Sequence, residues 1–255
     1  MGEAAVVRYE LDGPVAWLTL ARPEARNAID RAVAAGLWQG FRRFAADDAA
    51  RVLVLTGAGE AFCAGADLKE MAATGLTVPP RDLVPCLGDN LDLDKPVIAA
   101  VNGPAYGGGF LLAQMCDLVV AADGATFAIA EARWGRGAPW AAPLPWLVPP
   151  RVALELLLTA RPLNAARALE VGLVNRVVPA AELRGAAQRL ATTIAANAPL
   201  SLQAAKRMVY ASAGLDRRAA LEEGWRLFEP VYLSEDAQEG PRAFLERRAP
   251  RWRGR

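Results

Sequence analysis

Three consecutive glycines, Gly107–Gly109, stand in the stretch VNGPAYGGGFLLAQ, directly before an apolar run that reads as a helix. Glycine loses more backbone entropy on folding than any other residue, so three together call for a reason. A helix N-terminus presents unpaired N–H groups and partial positive charge, and glycines there let a ligand atom reach the backbone. Close packing of the helix on its strand would account for one glycine; a run of three favours a binding role. A second glycine-bearing loop, TGAGEAFCAGADLKE, follows the apolar run RVLVL and leads towards a helix near Leu68. Gly57 and Gly59 match the start of the GxGxxG dinucleotide fingerprint, but its last position falls on Phe62, which disfavours a nicotinamide-dependent dehydrogenase. The chain contains no histidine. Histidine-based nucleophilic triads and histidine zinc sites are thereby excluded, and acid–base work falls to Glu, Asp, Lys, Tyr or Cys.

The rest of the composition narrows the setting. With 255 residues, 53 % of them hydrophobic, the chain suits one core domain with a small appendage. Lysine plus arginine (29) nearly balances aspartate plus glutamate (28), so no overall field invites nucleic acid. The basic end ERRAPRWRGR reads as a solvated tail. Cys63, Cys86 and Cys116 are odd in number and form no CxxC pair, as expected of a reducing compartment and not of a disulfide framework or a metal site. The first residues carry no secretory or myristoylation pattern, and no apolar run is long enough to span a membrane. The expectation is a cytoplasmic protein with no membrane or nucleic-acid partner.

The elements that must position the glycine loops follow from periodicity. VVRYEL and VAWLTL, separated by DGP, predict a β-hairpin. Apolar residues at 29, 33, 37, 41 and 44 recur at helical spacing, with Asn27 and Asp30 as candidate caps. RVLVLTG, KPVIAAVNG and CDLVVAA predict buried strands; their alternation with helical segments suggests βαβ-type units with function at the strand ends. PPRVALELLLTA and LNAARALEVG read as helices, the second capped by Asn164 and stopped by Gly172, and LVNRVV as a short strand. Beyond about residue 180 everything reads helical, and Pro199 in ANAPLS marks the boundary between a core of residues 1–198 and a C-terminal region of residues 199–255. Pro241 is expected to kink or restart the last helix.

In order along the chain, RPEARNAID, LTGAGEAFCAGADLKEM, KPVIAAVNGPAYGGGFLLAQMCDLVVAA, ALELLLTARPLNAARALEVGLVNRVVP and SEDAQEGPRAFLERR resemble the enoyl-CoA hydratase/isomerase, or crotonase, superfamily. The resemblance implies an α/β fold, a spiral of repeated ββα turns with a C-terminal helical region that assembles a homotrimer or homohexamer. It implies an acyl-CoA thioester as substrate and no separate cofactor. By register, the backbone N–H groups of Ala66 and Gly108 form an oxyanion hole for the thioester carbonyl. Glu24, Ala25, Arg26, Ala64, Asp67, Leu68, Lys69, Tyr106 and Gly107 fall at substrate- or CoA-contacting positions. Phe228 and Arg247 fall where relatives reach a CoA bound to a neighbouring subunit.

One departure bears on the reaction. Hydratases of the family use two glutamates, the first two residues after the glycine run; that position here is Leu111. The second lies twenty residues further on, at Glu131 in TFAIAEARWG, among apolar neighbours that would raise a carboxyl pKa. A surface pairing of Glu131 with Arg133 or Arg136 is the competing reading. Pro139 and Trp140 stand where small residues are expected after it, and Trp140 and Trp146 either narrow or reshape the acyl pocket or pack beneath the turn. A single base with an oxyanion hole suffices to move a double bond, so isomerisation of an enoyl-CoA is expected ahead of hydration. Hydration with Glu131 alone, thioester hydrolysis, decarboxylation and non-catalytic acyl-CoA binding are the alternatives.

Overall fold

A computed structural model describes residues 5–255. β1 (Val7–Asp12) and β2 (Val15–Leu20) form the expected hairpin, turning at Gly13, where φ is +57°. α1 (Arg31–Ala46) starts at Asp30, whose Oδ1 accepts the Val33 N–H at 2.8 Å; Asn27 is not its cap. β3 (Val52–Gly57), α2 (Leu68–Thr74), β4 (Val97–Val101), β5 (Ala105–Tyr106), α3 (Gly108–Gln114), β6 (Leu118–Ala122) and β7 (Thr126–Ala128) follow. Then come α4 (Leu144–Leu147), α5 (Pro150–Thr159), β8 (Leu163–Asn164), α6 (Ala165–Glu170) and β9 (Arg176–Val178). The chain closes with α7 (Leu183–Ala195), α8 (Pro199–Ser212), α9 (Arg217–Tyr232) and α10 (Glu235–Leu245).

Six strands make one sheet in the order β1-β2-β3-β4-β6-β9, parallel except for the hairpin. Side chains of a strand alternate between faces. On one face Leu18, Leu53, Leu55 and Ala99 share a core with Leu37, Phe41 and Phe44 of α1. On the other, Trp17, Val54, Ile98 and Val120 pack with Ala187 and Ala191 of α7. Burial of both faces explains why these strands read as continuous apolar runs. Each fully buried Leu or Phe contributes about 1.5–3 kcal/mol through removal from water.

A second, three-stranded sheet runs β5-β7-β8, joined to the glycine-bearing loop after β3 by a bridge between Cys63 and Ala105. Three successive passes therefore share one plan: a long strand in the large sheet, a short extended piece in the small one, then a helix. β3, Cys63 and α2 make the first; β4, β5 and α3 the second; β6, β7 and the helices after them the third. This is the ββα repeat that the resemblance implied. α8 docks on the sheet through Lys206, whose Nζ lies 2.9 Å from Asp117 Oδ2, and Tyr210, whose hydroxyl donates to Asp117 Oδ1 at 2.8 Å.

The expected restart at Pro241 does not occur: α10 runs unbroken from Glu235 to Leu245, and α9 likewise passes through Pro230. Tertiary contacts hold α10 on both sides of its proline. The buried Asp236 carboxylate accepts the Arg253 and Gly254 N–H groups at 2.7 and 2.9 Å, and Ala243 is buried beyond it. Those contacts offset the one backbone donor that proline lacks.

Candidate active site

The loops that follow β3 and β4 interlock. Cys63 donates its N–H to the Pro104 carbonyl at 3.1 Å and accepts from Tyr106 N–H at 2.9 Å. Ile29 threads along the other side, donating to Gly65 O at 2.7 Å and accepting from Asp67 N–H at 2.9 Å. In such a bridge the residue between the two contacts points its own N–H the other way. That residue is Ala66, and its N–H has no acceptor among the described residues; the same holds for Gly108, first residue of α3. A Cβ built on Gly108 would stand 3.8 Å from Ala66 N and 3.0 Å from Ile29 Cδ1. The space it would fill is the space both donors border.

The three glycines do different jobs. At Gly107 φ is +52° and ψ −117°, a conformation open to glycine, and a Cβ there would lie 3.1 Å from Glu131 Oε1. At Gly109 a Cβ would sit 2.1 Å from the Cys63 carbonyl oxygen, so this glycine answers to close packing of the helix on the loop after β3.

Glu131 opens a short 3-10 turn, Glu131–Trp134, after β7 and the buried Ile129. Its Oε2 is buried with no hydrogen-bond partner, and no ion pair forms with Arg133 or Arg136. Burial pushes its carboxyl above the ordinary glutamate value. The carboxylate thus lies against Gly107, the residue before the free Gly108 N–H, with one oxygen partnerless. Leu111 stands one turn into α3, 6 % exposed, outside the two clusters that form the core.

The sequence model for enoyl-CoA hydratase/isomerase matches residues 10–255. The chain belongs to this enoyl-CoA hydratase/isomerase family. It is 43 % identical to the carnitinyl-CoA dehydratase of Proteus mirabilis over 95 % of this chain and 96 % of that one. The crystal structure of enoyl-CoA hydratase EchA1 from Mycobacterium marinum superposes with a TM-score of 0.91 at 37 % identity, covering 98 % of this chain and all of that one, 100 %. The enoyl-CoA hydratase of Mycobacterium tuberculosis H37Rv gives 0.90 at 38 %, covering 98 % and 100 %. The α/β fold is therefore that of the crotonase family, and the chain is an enzyme of its acyl-CoA-processing type.

Against this family background, the remaining expected positions fall in two groups. Glu24 and Ala25 lie in the 3-10 turn Pro23–Ala25; Arg26 follows with φ of +51°, and its carbonyl accepts the Ala64 N–H at 3.0 Å. Ala64, Leu68 and Lys69 are exposed beside it, and neither Arg26 nor Lys69 forms an ion pair among the described residues. These residues line one edge of the loops. Asp67 is different. Its Oδ1 caps α2 by accepting Lys69 and Glu70 N–H groups, and its Oδ2 meets Arg22 at 2.9 Å, which holds its carboxyl below the usual range. Its polar atoms are committed to the chain itself. Tyr106 pairs its hydroxyl with Thr126 Oγ1 at 3.0 Å. Phe228 is half-buried on α9 and Arg247 is exposed just past α10.

Trp140 is half-buried and packs against the core, its ring centroid 5.9 Å from that of Phe110 and its carbonyl accepting from Gln114 Nε2 at 3.1 Å. Trp146 does neither of the things expected of it, being 71 % exposed. Among the described residues no three His, Cys, Asp or Glu side chains converge as a metal site, and no helix is long and apolar enough to cross a membrane.

Two residues of the RPEARNAID stretch that were given no role at the site hold the loops together. Asn27 is completely buried; its Nδ2 donates to the Ala58 and Ala61 carbonyls at 2.9 and 2.8 Å, and its Oδ1 accepts the Arg22 N–H at 3.0 Å. Arg22 joins segments distant in sequence, as developed below. Neither carries a pattern by which its partners could be read in advance.

Proposed function

We propose that the enzyme moves a double bond in an enoyl-CoA thioester, with Glu131 as the only carboxylate base. The observation that carries this is the partnerless, buried Glu131 Oε2 in a site whose second acid position holds Leu111. On a 3-enoyl-CoA, Glu131 removes a proton from C2. The electron pair spreads through C2 and the thioester carbonyl, and the oxygen becomes anionic between the Ala66 and Gly108 N–H groups. Glu131, now protonated, returns the proton at C4, leaving the double bond between C2 and C3. Each preorganised donor contributes roughly 3–4 kcal/mol to holding that charge. No resident cofactor is required. Arg26 and Lys69, both cationic and in no ion pair among the described residues, are suited to CoA phosphates, with Ala64 and Leu68 alongside.

A second reading has its own support. The relatives at 43 % identity are named carnitinyl-CoA dehydratase, which favours loss of water from a 3-hydroxyacyl thioester. It needs the same proton abstraction at C2, but also an acid for the departing hydroxyl. Glu131 would have to serve twice. Assay of 2-enoyl-, 3-enoyl- and 3-hydroxyacyl-CoA of one chain length, followed at the conjugated thioester band, separates the two. Conversion of the 3-enoyl thioester well ahead of the other two supports isomerisation; faster dehydration or hydration overturns it.

A further inference from the structure

We propose that Arg22 is a positioning residue for the oxyanion hole, acting through Asp67 and Asp30 to fix the direction of the Ala66 N–H. The inference rests on the reading of Ala66 as a donor to the thioester oxygen. Arg22 Nη1 donates to Asp67 Oδ2 at 2.9 Å and to the Ala28 carbonyl at 3.3 Å, and pairs with Asp30 Oδ2 at 2.9 Å. Each carboxylate uses its other oxygen as a helix cap. Asp30 Oδ1 accepts the Val33 N–H, and Asp67 Oδ1 accepts the Lys69 and Glu70 N–H groups. One guanidinium therefore ties the first turn of α1 to the first turn of α2.

Between those two caps lies the bridge that orients Ala66. Ile29, flanked by Ala28 and Asp30, grips Gly65 O and Asp67 N–H, so the Ala66 N–H points away from Ile29, and a Cβ on Gly108 would lie 3.8 Å from its nitrogen. Arg22 touches the residues on both sides of Ile29 and the residue after Ala66. Its own backbone N–H is pinned by the buried Asn27. Because both carboxylates meet the same nitrogen, loss of the guanidinium would set two like charges against each other across the bridge. Their repulsion would draw α2 and the Ala66 segment away from Ile29. A donor displaced by a fraction of an ångström to an ångström stabilises an anion far less, and such misplacement lowers rates up to about 100-fold.

The test uses the full chain and cinnamoyl-CoA, a conjugated thioester whose absorbance moves to the red when its carbonyl is polarised. Wild type is expected to give that red shift on binding. Arg22→Gln, checked for folding by circular dichroism, should bind the probe with a diminished shift. Its kcat on the best enoyl-CoA substrate should fall about 10- to 100-fold, with KM within about threefold. Arg22→Lys, which keeps the charge, should restore part of both. Should Arg22→Gln not fold, Asp30→Asn decides the matter, since asparagine caps a helix as well as aspartate and removes only the ion pair. A full red shift with wild-type kcat in a folded Arg22→Gln, or in Asp30→Asn when that variant decides, overturns the role of Arg22 alone. A wild-type enzyme that binds the probe with no red shift overturns the donor reading, and this inference with it.

Discussion

Replacement of Glu131 by glutamine separates a catalytic carboxylate from a structural one, because the two roles predict opposite changes in stability. The side chains are nearly isosteric, so the amide fits against Gly107, where a Cβ would lie only 3.1 Å from Oε1. What is lost is the base. A general acid–base group contributes roughly 100- to 10,000-fold, about 3–5 kcal/mol of barrier. What is also lost is a charge held without a partner at Oε2. Burial raises the folded-state pKa above the unfolded value. The favourable contribution of Glu131 to stability is then fully present below the unfolded pKa and lost as pH rises through the folded one. Above its folded-state pKa wild type bears a charged carboxylate with a partnerless Oε2, and a neutral amide lowers the desolvation cost of that charge. Expected for Glu131→Gln are a 100- to 10,000-fold lower kcat, unchanged Kd for CoA, and a neutral-pH Tm equal to or above wild type. The Tm advantage should fade on acidification through the same window. In wild type, kcat/KM should rise with pH through a pKa above the ordinary glutamate value. Turnover within threefold of wild type, or a marked drop in Tm at neutral pH, would refute the assignment.

Leu111→Glu should raise hydration of a 2-enoyl-CoA relative to 3-enoyl isomerisation, and the two carboxyls should titrate as a coupled pair; wild-type hydration as fast as isomerisation would count against the single-base reading. Gly109→Ala should destabilise the fold by about 1–3 kcal/mol or more, because its Cβ meets the Cys63 carbonyl at 2.1 Å, whereas Gly108→Ala should fold and lose turnover, its Cβ entering the space between the donors. Thermal melts beside kinetics check both, and a stable, active Gly109→Ala would contradict the packing. Trp225 and Phe244 are 70 % and 82 % exposed, so sedimentation at micromolar concentration should give a trimer or hexamer, and a monomer would oppose that expectation.

The large sheet was legible because its strands are runs of Val, Leu, Ile and Ala long enough to show their type, and α1 because its apolar residues recur at helical spacing. The small sheet was not. Ala105–Tyr106 and Leu163–Asn164 are too short to carry any period, and their pairing depends on loops brought together by the rest of the fold. Glu131 could be located by its register with a family motif, but its lack of a partner belongs to the folded chain. The Ala66 and Gly108 amides leave no side-chain trace at all. Arg22 is a single arginine in a loop until folding brings Asp67 to it, and Pro241 reads as a break until the tail closes over Asp236.

Both candidate charge-stabilising groups are main-chain amides set by interlocked loops. Apart from proline, no amino-acid replacement deletes an N–H. The electrophilic half of such a site is therefore largely shielded from mutation, provided that the loops still close. The positions where an acid or base can stand, 111 and 131, hold ordinary side chains on separate turns, Leu111 and Glu131 here. A lineage built this way can exchange one reaction for another by changing a residue or two while the anion-holding half persists unaltered.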